Sequence, residues 1–135
     1  MIRFGHLEEY LYFVDLDAAE RFFTLQLGFQ SVSHQRARPR DVSKMTLVRR
    51  SHASVWLCQA PIDIAFAKPA DFQVDDVSIL YEEFVSRGVT FLQSLGRESF
   101  DDHGCEVLRF IVTGPEDCIL KFWNWDSDGL GLTTQ

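Results

Sequence analysis

Cysteine is scarce in this chain, and the three present, Cys58, Cys105 and Cys118, are odd in number and share no Cys-x-x-Cys spacing. Neither a disulfide framework nor a zinc site of the usual spacing is indicated. Long apolar runs are missing too: none approaches the roughly 20 residues of a membrane span. Met1-Ile2-Arg3-Phe4 leads straight into strand-like sequence with no signal-peptide pattern, so a cytoplasmic setting is expected. The eight glycines are scattered and form neither a phosphate-binding loop nor a dinucleotide fingerprint. Positive charge is in short supply. With 13 Lys and Arg against 20 Asp and Glu, the net charge of -7 argues against nucleic acid, whose phosphates need a basic face.

What is present suits an ordinary globule. At 135 residues, with 46% apolar and 24% charged, the chain has the size and composition of one domain, long enough to bury roughly two-thirds of its unfolded surface. The charge is unevenly placed: residues 1–67 carry eight Lys or Arg against seven Asp or Glu, and residues 68–135 carry five against thirteen. A cationic or neutral ligand therefore suits surfaces built from the second half better than an anionic one. The exception is the basic loop of Arg36, Arg38, Arg40 and Lys44 around Pro39, which is read as solvated.

One stretch recurs. VDLDAAERFFTLQLGF begins at Val14, and about sixty positions on VDDVSILYEEFVSRGV begins at Val74, each reading as strand end, helix and glycine stop. Ala18, Phe22 and Leu25 in the first copy, and Val77, Tyr81 and Phe84 in the second, keep the i, i+4, i+7 spacing of a buried helix face. Asp15 or Asp17, and Asp75 or Asp76, are placed to cap the first-turn amides, while Gly28 and Gly88 supply the left-handed residue that ends each helix.

Strands flank both helices. Leu7 to Val14 alternates, with Leu7, Leu11 and Phe13 on one face and Glu8, Tyr10 and Tyr12 on the other. Residues 30–34 form a short strand, and 45–48 and 53–58 form a hairpin turned at Arg50-Ser51-His52. The second copy repeats the order: Ala70 to Val74, a helix from about Val77 to Arg87, Val89 to Leu92, a polar loop from Gly96 to Gly104, then Glu106 to Thr113 and Cys118 to Trp123 joined by a turn at Gly114-Pro115-Glu116-Asp117. The expected fold is α+β: two βαβββ modules, about 5–60 and 68–125, forming a cup-shaped mixed or antiparallel sheet with one helix per module. Residues 1–125 form the single domain and 126–135 a frayed tail.

The repeated segments, with FIVTGPEDCILKFWNW near the end, resemble the vicinal oxygen chelate superfamily of glyoxalases, bleomycin-resistance proteins and extradiol dioxygenases. The resemblance runs from about Leu7 to Trp125 and implies metal ligands on the first and last strand of each module. Those positions fall on Glu8, Trp56, Pro69 and Lys121, of which only Glu8 is a ligand type. Catalytic metal sites normally keep about three protein ligands, so no metal and no other cofactor is expected. His6 and Glu8 share a face and could together hold an ion only weakly. His34, His52 and His103 fall in turns or strand ends. Glu8 and Lys121 are expected to pair in place of the ion.

The same resemblance lines the concave face with Glu8, Tyr10, Tyr12, Ser54, Trp56, Cys58, Asp71, Gln73, Lys121 and Trp123. Tyr10, Tyr12, Trp56 and Trp123 would stack on a ligand, and Glu8, Asp71 and Gln73 would accept its hydrogen bonds. The reading is a metal-independent homodimeric binder that sequesters an aromatic or cationic organic ligand, as bleomycin-resistance proteins do. The alternative is a lyase, isomerase or dioxygenase using an unrecognised metal or Glu8 as a catalytic base. Cys105, near His103 and Asp102, lacks the context of a nucleophile.

Overall fold

The computed structural model describes residues 1–32, 45–60, 69–99 and 105–126. The first module runs β1 (Leu7–Phe13), α1 (Leu16–Arg21), a π-helical turn (Phe22–Gln26), β2 (Gln30–Val32), β3 (Met45–Arg50) and β4 (Ala53–Gln59). The second runs β5 (Ala70–Gln73), α2 (Val77–Ser86), β6 (Thr90–Ser99), β7 (Glu106–Thr113), a short 3₁₀ turn (Pro115–Asp117) and β8 (Ile119–Trp125). Each module folds into a four-stranded sheet, in the orders β1-β4-β3-β2 and β5-β8-β7-β6. In both sheets the first strand lies parallel to the last and the other neighbours are antiparallel. The class is α+β, with one helix per module, as the repeat implies.

Local chemistry explains the shared plan. The Asp15 side chain accepts from the Ala18 amide at 3.1 Å and Asp76 from the Ile79 amide at 3.1 Å, so each helix starts on its own carboxylate. Gly28 (φ 76°) and Gly88 (φ 79°) close them in the left-handed region, where a Cβ is strained. Residues 3–5 pair antiparallel with residues 73–75: the Gly5 amide donates to the Gln73 carbonyl at 2.8 Å and the Asp75 amide to the Arg3 carbonyl at 3.0 Å. That clasp seats Phe4 edge-on against Phe29, Phe72 and Phe122 at 5.8, 6.2 and 6.3 Å, rings drawn from both modules. One apolar core results, with Phe23, Leu57, Leu80, Phe84, Phe110 and Leu120 all fully buried.

Several boundaries differ from the sequence reading. Ala18 is half-buried and Leu25 is 67% exposed, whereas Leu16, Ala19, Phe22, Phe23 and Leu27 are buried. The cause is the π-helical turn, which inserts an extra residue per turn and rotates Phe23 inward and Leu25 outward. In α2 the expected face holds for Val77 and Phe84, joined by Leu80, with Tyr81 half-buried. Gly96 to Ser99, read as loop, extends β6, whose register slips between Phe91 and Gln93 and between Gln93 and Gly96. These bulges hide the period-two pattern from the sequence. Asp126, assigned to a frayed tail, is buried, ion-paired to Arg97 and bonded through its amide to the Glu106 carbonyl. The basic loop of Arg36, Arg38, Arg40 and Lys44, together with His34, Asp102 and His103, lies outside the described residues.

Candidate functional site

Alternation divides β1, β5 and most of β4 between the core and an opposite, open face. On β1 it turns Leu11 and Phe13 inward and leaves Glu8, Tyr10 and Tyr12 exposed. On β4 it buries Val55 and Leu57 and gives Ser54 and Trp56 to the open face, whereas Cys58, expected there too, is buried. The register sets Tyr10 beside Trp56, and their rings stack at 6.2 Å and 11°. The Trp56 indole N–H donates to Glu8 Oε2 at 3.3 Å. On β5 Ala70 and Phe72 are buried while Asp71 and Gln73 are exposed, in register with Lys121 and Trp123 of β8.

A hollow of about 370 Å³ lies on the open face of the second sheet, lined by Asp71, Glu98, Ser99, Val107, Arg109, Lys121 and Trp123. It brings together three of the expected residues, Asp71, Lys121 and Trp123. Glu8, Tyr10, Tyr12 and Trp56 gather instead on the first sheet, and Gln73 stands beside Trp123 in the register. The sequence reading missed Arg109 and Glu98. Arg109 lies opposite Trp123 on β7, so pairing the last two strands in register would have placed it beside Trp123; Glu98 was lost with the bulged end of β6. The guanidinium Nη2 is ion-paired with Glu98, and Nε is buried with no hydrogen-bond partner among the described residues.

The expected Glu8–Lys121 pair does not form within the chain. Glu8 takes the Trp56 indole proton, and among the described residues Lys121 has no carboxylate partner. The two residues stand on strands of different sheets, each held to its own parallel neighbour. His6 does not join Glu8 either; its ring lies 4.7 Å from that of His52, at the turn between β3 and β4. Cys58 and Cys118 are buried, and loss of hydration raises both thiols to about 11, so neither supplies a thiolate at neutral pH.

No family model matches the chain, and no curated protein matches it in sequence. Solved structures do. A glyoxalase/bleomycin resistance protein/dioxygenase from Alicyclobacillus acidocaldarius superposes with a TM-score of 0.67 at 18% identity, over 93% of this chain and 96% of that one. The chain has the vicinal oxygen chelate fold. TioX from Micromonospora sp. ML1 matches with a TM-score of 0.66 at 16% identity, over 89% of this chain and 95% of its own. An integron cassette protein from the mobile metagenome of the Halifax Harbour sewage outfall matches with a TM-score of 0.65 at 18% identity, over 89% and 97%. At such identities the likeness is one of fold.

The positions that the resemblance assigns to metal ligands do not supply a donor set. Trp56 has a donor-only indole engaged with Glu8, Pro69 has no side-chain donor atom, and Lys121 is a cation. Among the described residues no three His, Cys, Asp or Glu side chains come together in a way that could hold an ion. The side chains at these positions do not fit the metal, and no chemistry is derived through one.

Proposed function

We propose that the protein is a metal-independent small-molecule binder that sequesters a flat organic ligand on the open faces of its sheets. The hollow over β7 and β8 carries this reading: it has the volume for a small ligand, a tryptophan wall and several polar groups converging on it. Tyr10, Tyr12 and Trp56 supply a second aromatic surface, beside the Glu8 carboxylate, that suits a ring or a cation. The names of the matched structures, which include bleomycin resistance, support a protective role of this kind, and a homodimer that pairs two open faces in the cytoplasm is part of the proposal.

Glu8 as the lone base of a lyase or isomerase has less support. Catalysis of that kind calls for a dry pocket, and Glu8 is exposed in the single chain. The test is tryptophan fluorescence titrated with a panel of aromatic and cationic compounds. Saturable changes that weaken about ten-fold or more in Trp123→Ala or Trp56→Ala support binding on these faces. A panel that moves nothing, or binding untouched by both substitutions, contradicts it.

A further inference from the structure

The hollow over β7 and β8 holds an incomplete ion pair. An arginine presents its Nε and Nη2 protons as a parallel fork that matches the two oxygens of a carboxylate. In Arg109, Glu98 Oε1 occupies Nη2, while Nε is buried and has no acceptor among the described residues. A buried donor without a partner is rare and costly, and it calls for an acceptor that arrives from elsewhere. Glu98 is poorly placed to remain: it is 45% exposed on the edge strand β6, whereas Arg109 is only 23% exposed.

The surroundings favour replacement of Glu98 by an external carboxylate. Opposite Arg109 on β6 stands Gly96, where an added Cβ would meet nothing nearer than the Ser94 carbonyl at 3.9 Å, so no side chain from this position crowds the hollow. On the other side, in register on β8, stands Trp123, and Lys121 is two residues before it on the same face without a carboxylate partner among the described residues. Two carboxylates also line the hollow. Glu98 is the group to be displaced, and Asp71 is exposed, where water screens its repulsion of an incoming acid.

We propose that this hollow takes the carboxylate of a flat organic acid, which displaces Glu98 from the Nε–Nη2 edge of Arg109 while its ring lies against Trp123 and Lys121 neutralises it. Glu98 thus acts as a placeholder that competes with the ligand. This inference rests on the binding function proposed above and narrows its ligand class. It also departs from the expectation, drawn from the acidic second half, that an anion is disfavoured there: Arg109 and Lys121 match the two carboxylates of the hollow, and the ligand's carboxylate takes the place of that of Glu98.

The test uses naphthalene-2-carboxylate and naphthalene-2-carboxamide, matched in ring and differing in charge, titrated calorimetrically into the full chain. The acid should bind about ten-fold more tightly than the amide. Glu98→Gln should strengthen acid binding several-fold and leave amide binding unchanged, because it removes the competitor. Arg109→Gln should abolish the preference, and Arg109→Lys, which keeps the charge but loses the fork, should restore only part of it. In wild type the Arg109 Nε–H resonance should shift on addition of the acid and not of the amide. Equal affinities, weaker acid binding by Glu98→Gln, or an unmoved Nε–H resonance would overturn the proposal. If the amide binds in a Trp123-dependent way while the acid has no advantage, this inference fails and the binding function stands. If neither compound binds while other members of the fluorescence panel do, this inference again fails alone. If nothing in either set binds, both fail.

Discussion

Glu83 shows how single side chains hold this molecule together. It accepts from Arg50 Nη1 at 2.8 Å and Nη2 at 2.9 Å, and pairs with Arg87 Nε at 3.1 Å. Arg50 also donates to the Leu27 carbonyl at 2.8 Å and stacks over Phe4, so Glu83 on α2 fastens the first module's hairpin to the second module's helix. Burial alone would raise its pKa, but the two guanidiniums outweigh that and hold it below the usual carboxylate range. Its folded-state pKa is therefore the lower one. The stabilisation is complete above the unfolded-state pKa and is lost as pH falls through the folded-state value. Glu83→Gln should cost about 2 kcal/mol at neutral pH and flatten the acid limb of a stability-against-pH curve followed by urea unfolding. An unchanged acid limb would show that the pair contributes nothing. The Arg50–Glu83 link was not legible in the sequence, because the two residues lie far apart along the chain; only the Glu83–Arg87 pair, four residues apart on α2, is local.

At the scale of elements, both helix starts depend on the last hairpin of the chain. Glu116 accepts from the Val14 amide at 2.9 Å and the Asp15 amide at 2.8 Å, and the Asn124 side chain accepts from the Val77 amide at 2.6 Å. Glu116 holds φ at 57°, in the left-handed region, so the turn bears strain in a position that presents its carboxylate to β1. Glu116→Ala should cost about 2 kcal/mol and lower the melting temperature by several degrees, measured by calorimetry, with Glu116→Gln intermediate. Next to it, a Cβ on Gly114 would come within 2.5 Å of the Phe22 ring. Gly114→Ala should destabilise by about 1–3 kcal/mol in the same assay, since ring and backbone must shift together. The sequence showed the turn but not its partner. It showed both helices and their caps because Asp15, Asp76, Gly28 and Gly88 act locally, and it missed the π-helical turn because an inserted residue leaves no mark on composition.

At the scale of the whole molecule, the doubled plan was legible because it is written twice, as VDLDAAERFFTLQLGF and VDDVSILYEEFVSRGV, and the alternation of β1 and β5 was legible enough to leave Tyr10 and Asp71 exposed, while Trp56 and Trp123 were placed through the resemblance. The grouping of those residues was less legible. Pairing Glu8 with Lys121 assumed that the two sheets share one centre, whereas each of those side chains belongs to its own parallel strand pair. No helix among the described residues is long and apolar enough to cross a membrane.

The account turns on a vicinal oxygen chelate fold that binds an organic ligand without an ion. The most direct measurement is calorimetric titration of naphthalene-2-carboxylate before and after exhaustive dialysis against a chelator, with elemental analysis of both samples. We predict the same affinity in both and far less than one ion per chain in either. One tightly held divalent ion per chain, whose removal abolishes binding and whose return restores it, would contradict the account.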